Sequence, residues 1–167
     1  VTPAYVGEYR YTADAQGRIS LPAKLREILA QEESSSLMAM KWFDGCVALL
    51  PPTTWNEFRP QLAHEEFKAD RGARYFKRSA YNGMDVVVPD NQGRILLNKD
   101  LRAHAGIESD VVIYGVGEWV ECWDAKRFDE YMAACKIAFG SHEELASKYL
   151  KSSEHRTDGN ASGRDTK

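Results

Sequence analysis

Apolar and polar positions along this chain switch repeatedly between a period of two and a period near 3.6. In Glu8–Thr12, Tyr9 and Tyr11 share one face and Arg10 takes the other, which predicts a half-buried strand. Arg18–Leu21 reads as the return strand across a tight turn. Pro22 suits the start of a short helix whose apolar stripe is Leu25, Ile28 and Leu29. Leu37–Lys41 and Val47–Leu50 then read as a pair of strands, and a helix follows Pro52, kinked or shortened by Pro60. A helical segment over about 65–81 leads to a second series. Its strands are Asp85–Val88, Arg94–Leu97, Val111–Tyr114 and Val120–Trp123, with a short helix after Asn98 that stops at Gly106. Asp124 is placed to cap a long helix. Thr54-x-x-Glu57 and Ser141-x-x-Glu144 both have the form of a capping box.

The second series repeats the first. Asp14-Ala-Gln-Gly17-Arg18 and Asp90-Asn-Gln-Gly93-Arg94 lie 76 residues apart, each followed by apolar residues and then Leu25-Arg26 or Leu101-Arg102. Further on, Val47, Trp55, Glu57 and Phe58 align with Val120, Phe128, Glu130 and Tyr131 at an offset of 73. The first copy therefore carries three extra residues, and Gln31–Ser36 is the loop placed to hold them. In each Asp-x-x-Gly phrase the carboxylate can accept backbone N–H groups, and glycine supplies the positive φ that closes the turn. Each module reads as strand, turn, strand, short helix, strand, strand, longer helix.

Composition narrows the function. With 43% hydrophobic residues and 18 aromatics, 167 residues can bury a core as one domain or as two small halves. No run approaches the roughly 20 apolar residues of a membrane helix, and no leader pattern precedes residue 10. Cys46, Cys122 and Cys135 are odd in number and lack a C-x-x-C pair, which suits a reducing cytoplasm rather than a disulfide framework. Net charge is −3, but it is unevenly spread: residues 1–30 net +1, residues 64–82 net +2 and residues 116–150 net −3. Both arginine turns lie outside the acidic region. Arg71, Arg74 and Arg78 share one helical face, which reads as a solvated face or a subunit contact ahead of a DNA contact.

The candidate chemistry is the pair of arginine turns. As plain structure, each would be a surface hairpin with an internal Asp–Arg pair. As function, two arginines project from neighbouring turns toward one anionic target, where the planar fork can bond guanine or phosphate bidentately. Asp14 and Asp90 are poor general acids, because Arg18 and Arg94 favour their ionised forms. Gly115-Val-Gly117 falls where a strand turn is expected and lacks the rest of a nucleotide fingerprint. His64, His104, His142 and His155 have no metal-ligand spacing, and Cys46 and Cys122 lie in apolar strands. No nucleophile, base and orienter can be assembled, so the reading is a non-enzyme without cofactor, metal or small-molecule substrate.

These features resemble the MraZ family of bacterial transcriptional regulators, whose mark is Asp-x-x-x-Arg in each of two tandem domains. The context matches at Gly7-Glu-Tyr-Arg10, Leu21-Pro-Ala-Lys-Leu-Arg26 and Gly115-Val-Gly117, and the Arg74–Arg78 segment resembles the family's linker helix. The resemblance runs from about Tyr5 to Leu150. It implies an α+β protein in which two AbrB-like ββαββα halves exchange hairpins to form one small β-barrel. It also implies a regulator, repressor-like, of the division and cell-wall gene cluster, acting in the cytoplasm at the nucleoid. Its partners would be double-stranded DNA carrying repeated boxes and further copies of itself in a ring, with no membrane.

The expected boundaries are a first repeat over 5–63, a linker helix over 64–82, a second repeat over 83–139, a C-terminal helix over 140–150 and a disordered tail over 151–167. Arg18 and Arg94 would face the DNA with Arg10 and Lys24 nearby, and Asp14 and Asp90 would shape the turns. The second copy has Asn98 in place of Pro22 and Val86 in place of Arg10, so its turn is less basic and Arg18 is expected to carry more than Arg94. The alternative function is an antitoxin-like or scaffold module that uses the same fold to bind a protein.

Overall fold

The structure, a computed structural model, describes residues 4–64 and 66–150. The tail expected over 151–167 lies outside the described residues. The first repeat contributes β1 (Tyr5–Thr12), β2 (Arg18–Ser20), α1 (Ala23–Leu29), β3 (Leu37–Lys41), β4 (Val47–Leu50) and α2 (Pro52–Phe58). A 3-10 turn at Arg59–Ala63, α3 (Glu66–Ala69) and α4 (Arg71–Tyr81) form the connection. The second repeat follows as β5 (Asp85–Val87), β6 (Arg94–Leu96), α5 (Lys99–Ala105), β7 (Asp110–Gly117), β8 (Val120–Asp124) and α6 (Ala125–Phe139), with α7 at His142–Tyr149.

After the first strands, the duplication holds at every paired element start. β2 and β6, and α1 and α5, begin 76 residues apart; β3 and β7, β4 and β8, and α2 and α6 begin 73 apart. Seven residues separate α1 from β3 and four separate α5 from β7, so the three-residue difference sits in the loop where it was expected.

Four of the six strand pairings cross between the repeats: β1–β7, β2–β6, β3–β5 and β4–β8. The six-stranded sheet has the order β1-β7-β8-β4-β3-β5, and β2 pairs with β6 in a separate two-stranded ribbon. Reading that order backwards and exchanging the repeats returns the same list. Two registers share this symmetry: Ile19 opposes Ile95 at the centre of β2–β6, and Ala48 opposes Glu121 at the centre of β4–β8. The simple hairpin expected between β1 and β2 is thereby corrected. Their turn closes locally through Asp14 N–H to the Arg18 carbonyl (2.9 Å), but eight-residue β1 finds a full-length partner in β7 that three-residue β2 cannot offer. The implied closed barrel is corrected too: among the described residues the strands form an open sheet plus a ribbon.

The main core is built by both repeats together. Ile19, Leu25, Leu29, Leu37, Leu49, Ile95, Leu97, Leu101, Val111 and Ile113 are buried on one face of the sheet, under the ribbon, α1 and α5. A smaller cluster of Met40, Ala48, Leu50 and Ala80 lies on the other face, with Trp42, Trp55 and Phe58 packed against it. Met38 and Met40 alternate with Leu37 and Ala39 along β3, as period two requires. Residues up to Phe128 accordingly form one compact unit that does not divide between the repeats, and Asp129 onward forms a second.

Several local expectations hold. Asn98 accepts from Leu101 N–H (3.0 Å) as the N-cap of α5, and Gly106 ends that helix at φ +67°. Asp124 accepts from Arg127 N–H (2.9 Å), and Ser141 with Glu144 forms a complete capping box. Others do not hold. Thr54 sits inside α2 rather than at its cap and donates to the Glu118 carbonyl (2.6 Å), while Glu32 accepts from Thr53 N–H at the helix start. Gly115 lies within β7, although Gly117, at φ +101°, does enter the expected β7–β8 turn, which Val116 N–H closes on the Trp119 carbonyl (3.1 Å). A Cβ on Gly115 would stand 2.5 Å from the Tyr5 backbone, so glycine there permits close approach of β1. The helix expected over 65–81 breaks at Asp70, whose extended backbone and side chain cap α4 through Ala73 N–H (2.7 Å).

Candidate nucleic-acid interface

Each Asp-x-x-Gly-Arg phrase builds the same turn. Asp14 Oδ1 accepts from Gln16 N–H (2.9 Å) and Arg18 N–H (3.0 Å), and Asp90 Oδ1 accepts from Gln92 and Arg94 N–H (both 2.9 Å). Gly17 and Gly93 donate to the Asp14 and Asp90 carbonyls, each at 2.8 Å, with φ of +80° and +74°. One carboxylate oxygen is thus spent on the backbone and the other on the arginine. Arg18 Nε donates to Asp14 Oδ2 (2.6 Å), and Arg94 Nε and Nη2 donate to Asp90 Oδ2 (3.0 and 2.9 Å).

The ribbon brings the two turns side by side, because Ser20 opposes Arg94 and Arg18 opposes Leu96. Arg94 Nη1 lies 3.7 Å from Asp14 Oδ2, so the turns share an electrostatic link across the pseudo-two-fold. The arrangement is not fully symmetric. Arg18 meets its aspartate through Nε alone and its side chain is 34% exposed, against 24% for Arg94, which is bound at all three nitrogens. Arg18 is the better placed to offer its two Nη groups outward.

The aspartates are held ionised. Asp14 is lowered to about 2, first by the backbone N–H of Arg18 and then by its side chain, and Asp90 is lowered for the same reasons. Both turns keep their shape and their oriented arginines at any physiological pH.

The remaining expected residues are not all brought here. Lys24 is exposed in the first turn of α1. Arg10 does not join the turns. Its neighbours Tyr9 and Tyr11 pack on the core under the ribbon, so Arg10 points to the opposite sheet face. There it bonds Glu8 (2.9 Å) and lies 5.9 Å over the Phe128 ring. The basic helix α4 also packs on that opposite face, against the cluster holding Met40 and Ala80. Arg74 is partly committed there, donating to the Lys68 and Ala69 carbonyls (2.8 and 3.0 Å).

Two residues at the turns escaped the sequence reading. The Arg102 guanidinium packs against Gly17 and that of Arg26 against Gly93. Their signal was present, since Leu25-Arg26 and Leu101-Arg102 belong to the repeated phrase. What spacing could not reveal was that each reaches the other repeat's turn. Counting them, four arginines stand with two aspartates, a local positive excess on a chain of net charge −3. Among the described residues, no group of His, Cys, Asp and Glu is arranged to hold a metal ion, and no helix is long and apolar enough to cross a membrane.

Comparison with known proteins agrees with the duplication. The family model described as "MraZ protein, putative antitoxin-like" matches twice, over residues 4–78 and 81–149. A protein of Heliobacterium modesticaldum named transcriptional regulator MraZ is 38% identical over 147 residues, covering 87% of this chain and 96% of its own. Proteins of the same name from Syntrophomonas wolfei and Cytophaga hutchinsonii are 37% and 31% identical, covering 85% and 87% of this chain and 94% of their own in both cases. Two matches to one family model, in tandem over the two structural repeats, show that this chain belongs to the MraZ family.

Proposed function

We propose that this chain is a DNA-binding transcriptional regulator whose paired arginine turns contact one duplex. The observation that carries the reading is the juxtaposition of Arg18 and Arg94 on neighbouring strands, each buttressed by an ionised aspartate. An Asp-held guanidinium is pre-oriented, so little side-chain entropy is lost when it meets a phosphate or a guanine edge. The relatives' shared name supports regulation of transcription as the role. The crossed pairings of β1 with β7 and β3 with β5 support reading the fold as a swapped-hairpin arrangement of two AbrB-like halves.

The finer reading is repression of the division and cell-wall gene cluster by an oligomer, with a ring as its form, on repeated promoter boxes. One protomer offers a small footprint, and several on matched boxes raise affinity through effective concentration. The test is binding of Arg18→Ala and Arg94→Ala to that promoter over a salt series. Each loss should weaken binding, Arg18→Ala the more. Wild-type affinity and salt slope in both variants would overturn the reading.

A second reading, an antitoxin-like or scaffold module binding a protein, is favoured by α4. Its Tyr75 is 73% exposed between Arg71 and Arg78, on the sheet face opposite the turns. A salt-insensitive protein complex lost in Tyr75→Ala, with no DNA binding near physiological salt, would establish it instead.

A further inference from the structure

The repeated phrase does not end at the turn arginine. It runs on to Leu25-Arg26 in the first copy and Leu101-Arg102 in the second, and both leucines are fully buried. Each leucine anchors its helix in the shared core. Each arginine, one position on, leaves that core and crosses to the opposite repeat.

The crossing is tight on both sides. A Cβ on Gly17 would lie 2.5 Å from Arg102 Nη1 and 2.6 Å from Arg102 Cζ; one on Gly93 would lie 2.6 Å from Arg26 Cζ and Nε. The positive φ favours glycine at both positions, and each guanidinium occupies the space that a Cβ would take. On one side, hydrogen bonds extend the contact: Arg26 Nε donates to the Leu21 carbonyl (3.1 Å), and Leu21 N–H donates to the Gly93 carbonyl (2.8 Å). On the other, Arg102 Nε is buried and has no hydrogen-bond partner in the structure, so packing against the glycine holds it. The aspartates fix the shape within each turn. The β2–β6 pairing and the backbone bonds of Leu21 and Ala13 seat the turns from the strand side, and the crossing arginines pack each turn against the helix of the opposite repeat.

We infer that Arg26 and Arg102 are positioning residues for the DNA-contacting arginine of the opposite repeat: Arg26 sets Arg94, and Arg102 sets Arg18. This rests on the arginine-turn reading proposed above. Its consequence is that neither repeat presents its contact alone. Helix α1 of the first repeat holds the second turn, and α5 of the second repeat holds the first. Lysine is a poor substitute, because a point charge on a flexible stem cannot lie flat against the glycine as a planar guanidinium does.

The test is a set of double-mutant cycles on promoter DNA, combining Arg26→Ala and Arg102→Ala with Arg18→Ala and Arg94→Ala. Arg26→Ala should weaken binding by about threefold to tenfold, inside the roughly twofold to 150-fold span of couplings between residues in one contact network. It should be non-additive with Arg94→Ala and additive with Arg18→Ala, and Arg102→Ala should show the reverse. Coupling within a repeat, or additivity in every cycle, overturns the inference. So does a direct phosphate contact by Arg26, seen as a salt slope lowered by about one and additive with Arg94→Ala.

Amide spectra without DNA separate this inference from the functional reading. Arg26→Ala should shift the Gly93 amide more than the Gly17 amide, and Arg102→Ala the converse. If these shifts appear while Arg18→Ala and Arg94→Ala bind DNA as wild type, the functional reading fails and the crossed brace stands. If the alanine variants unfold, Arg26→Lys and Arg102→Lys carry the same cycles and spectra.

Discussion

Ile19 and Ile95 face each other at the centre of β2–β6, and neither side chain is exposed. Replacing Ile19 with alanine removes three buried carbons, about 2.4 kcal/mol at 0.8 kcal/mol for each. The unfilled space adds to this, so the total falls within the roughly 2–5 kcal/mol usual for such truncations. For a chain of this length that corresponds to a Tm lower by about 5–15 °C. The informative part is where the loss is felt. Since the core is shared, urea unfolding of Ile19→Ala should remain one transition, shifted equally for both repeats. Trp55, packed against Phe58, reports on the first repeat and Trp123, packed against Phe128, on the second, so variants keeping one of these two separate the signals. Ile19→Ala and Ile95→Ala should also be non-additive, as direct neighbours are. A variant in which the second repeat keeps its wild-type midpoint while the first unfolds early would refute the shared core.

Other consequences are simpler to measure. In the folded protein Cys135 should react with a thiol reagent while Cys46 and Cys122 stay protected, since both are buried and burial raises their thiols, Cys122 to about 12; mass spectrometry of alkylated protein reads this out. Asp14 has a folded value of about 2, below its unfolded value near ~3.9, so its stabilisation is present above that unfolded value and lost as pH falls through about 2. Carboxyl NMR should find Asp14 still charged at pH 4, and Asp90 titrating below an ordinary aspartate. Ser141→Ala removes the capping box of α7 and should cost about 1 kcal/mol locally, seen as faster amide exchange in that helix alone. Gly115→Ala should cost about 1–3 kcal/mol by forcing β1 from β7, measured by denaturant unfolding.

Much of the architecture was legible because duplication writes the same signals twice. Offsets of 76 and 73 placed the element starts, and Asn98, Gly106, Asp124 and Ser141 marked helix ends through side-chain chemistry that acts within a few residues. Strand partners were not legible at the residue level. Period two says which face Tyr9 or Ile19 turns inward, but not which strand lies alongside, and a local turn suggests the nearest one. The same limit separated Arg10 from the site: sequence proximity to Arg18 counts for nothing when alternate residues point to opposite faces. Thr54 had the form of a cap, yet the helix takes Pro51 at that position, three residues earlier, and Glu32 arrives from a distant loop to accept from Thr53 N–H. Arg26 and Arg102 were visible as repeated letters, but their role depends on a crossing between repeats that only three dimensions show.

The central claim, that both turns face one duplex from one side of the sheet, is tested most directly by cleavage of bound promoter DNA. A hydroxyl-radical source is placed on Gln16→Cys, Gln92→Cys or Tyr75→Cys, each in a Cys135→Ser background. The account predicts cuts from positions 16 and 92 within the same short stretch of DNA and none from position 75 on α4. Cuts from position 75, with none from 16 and 92, would contradict it.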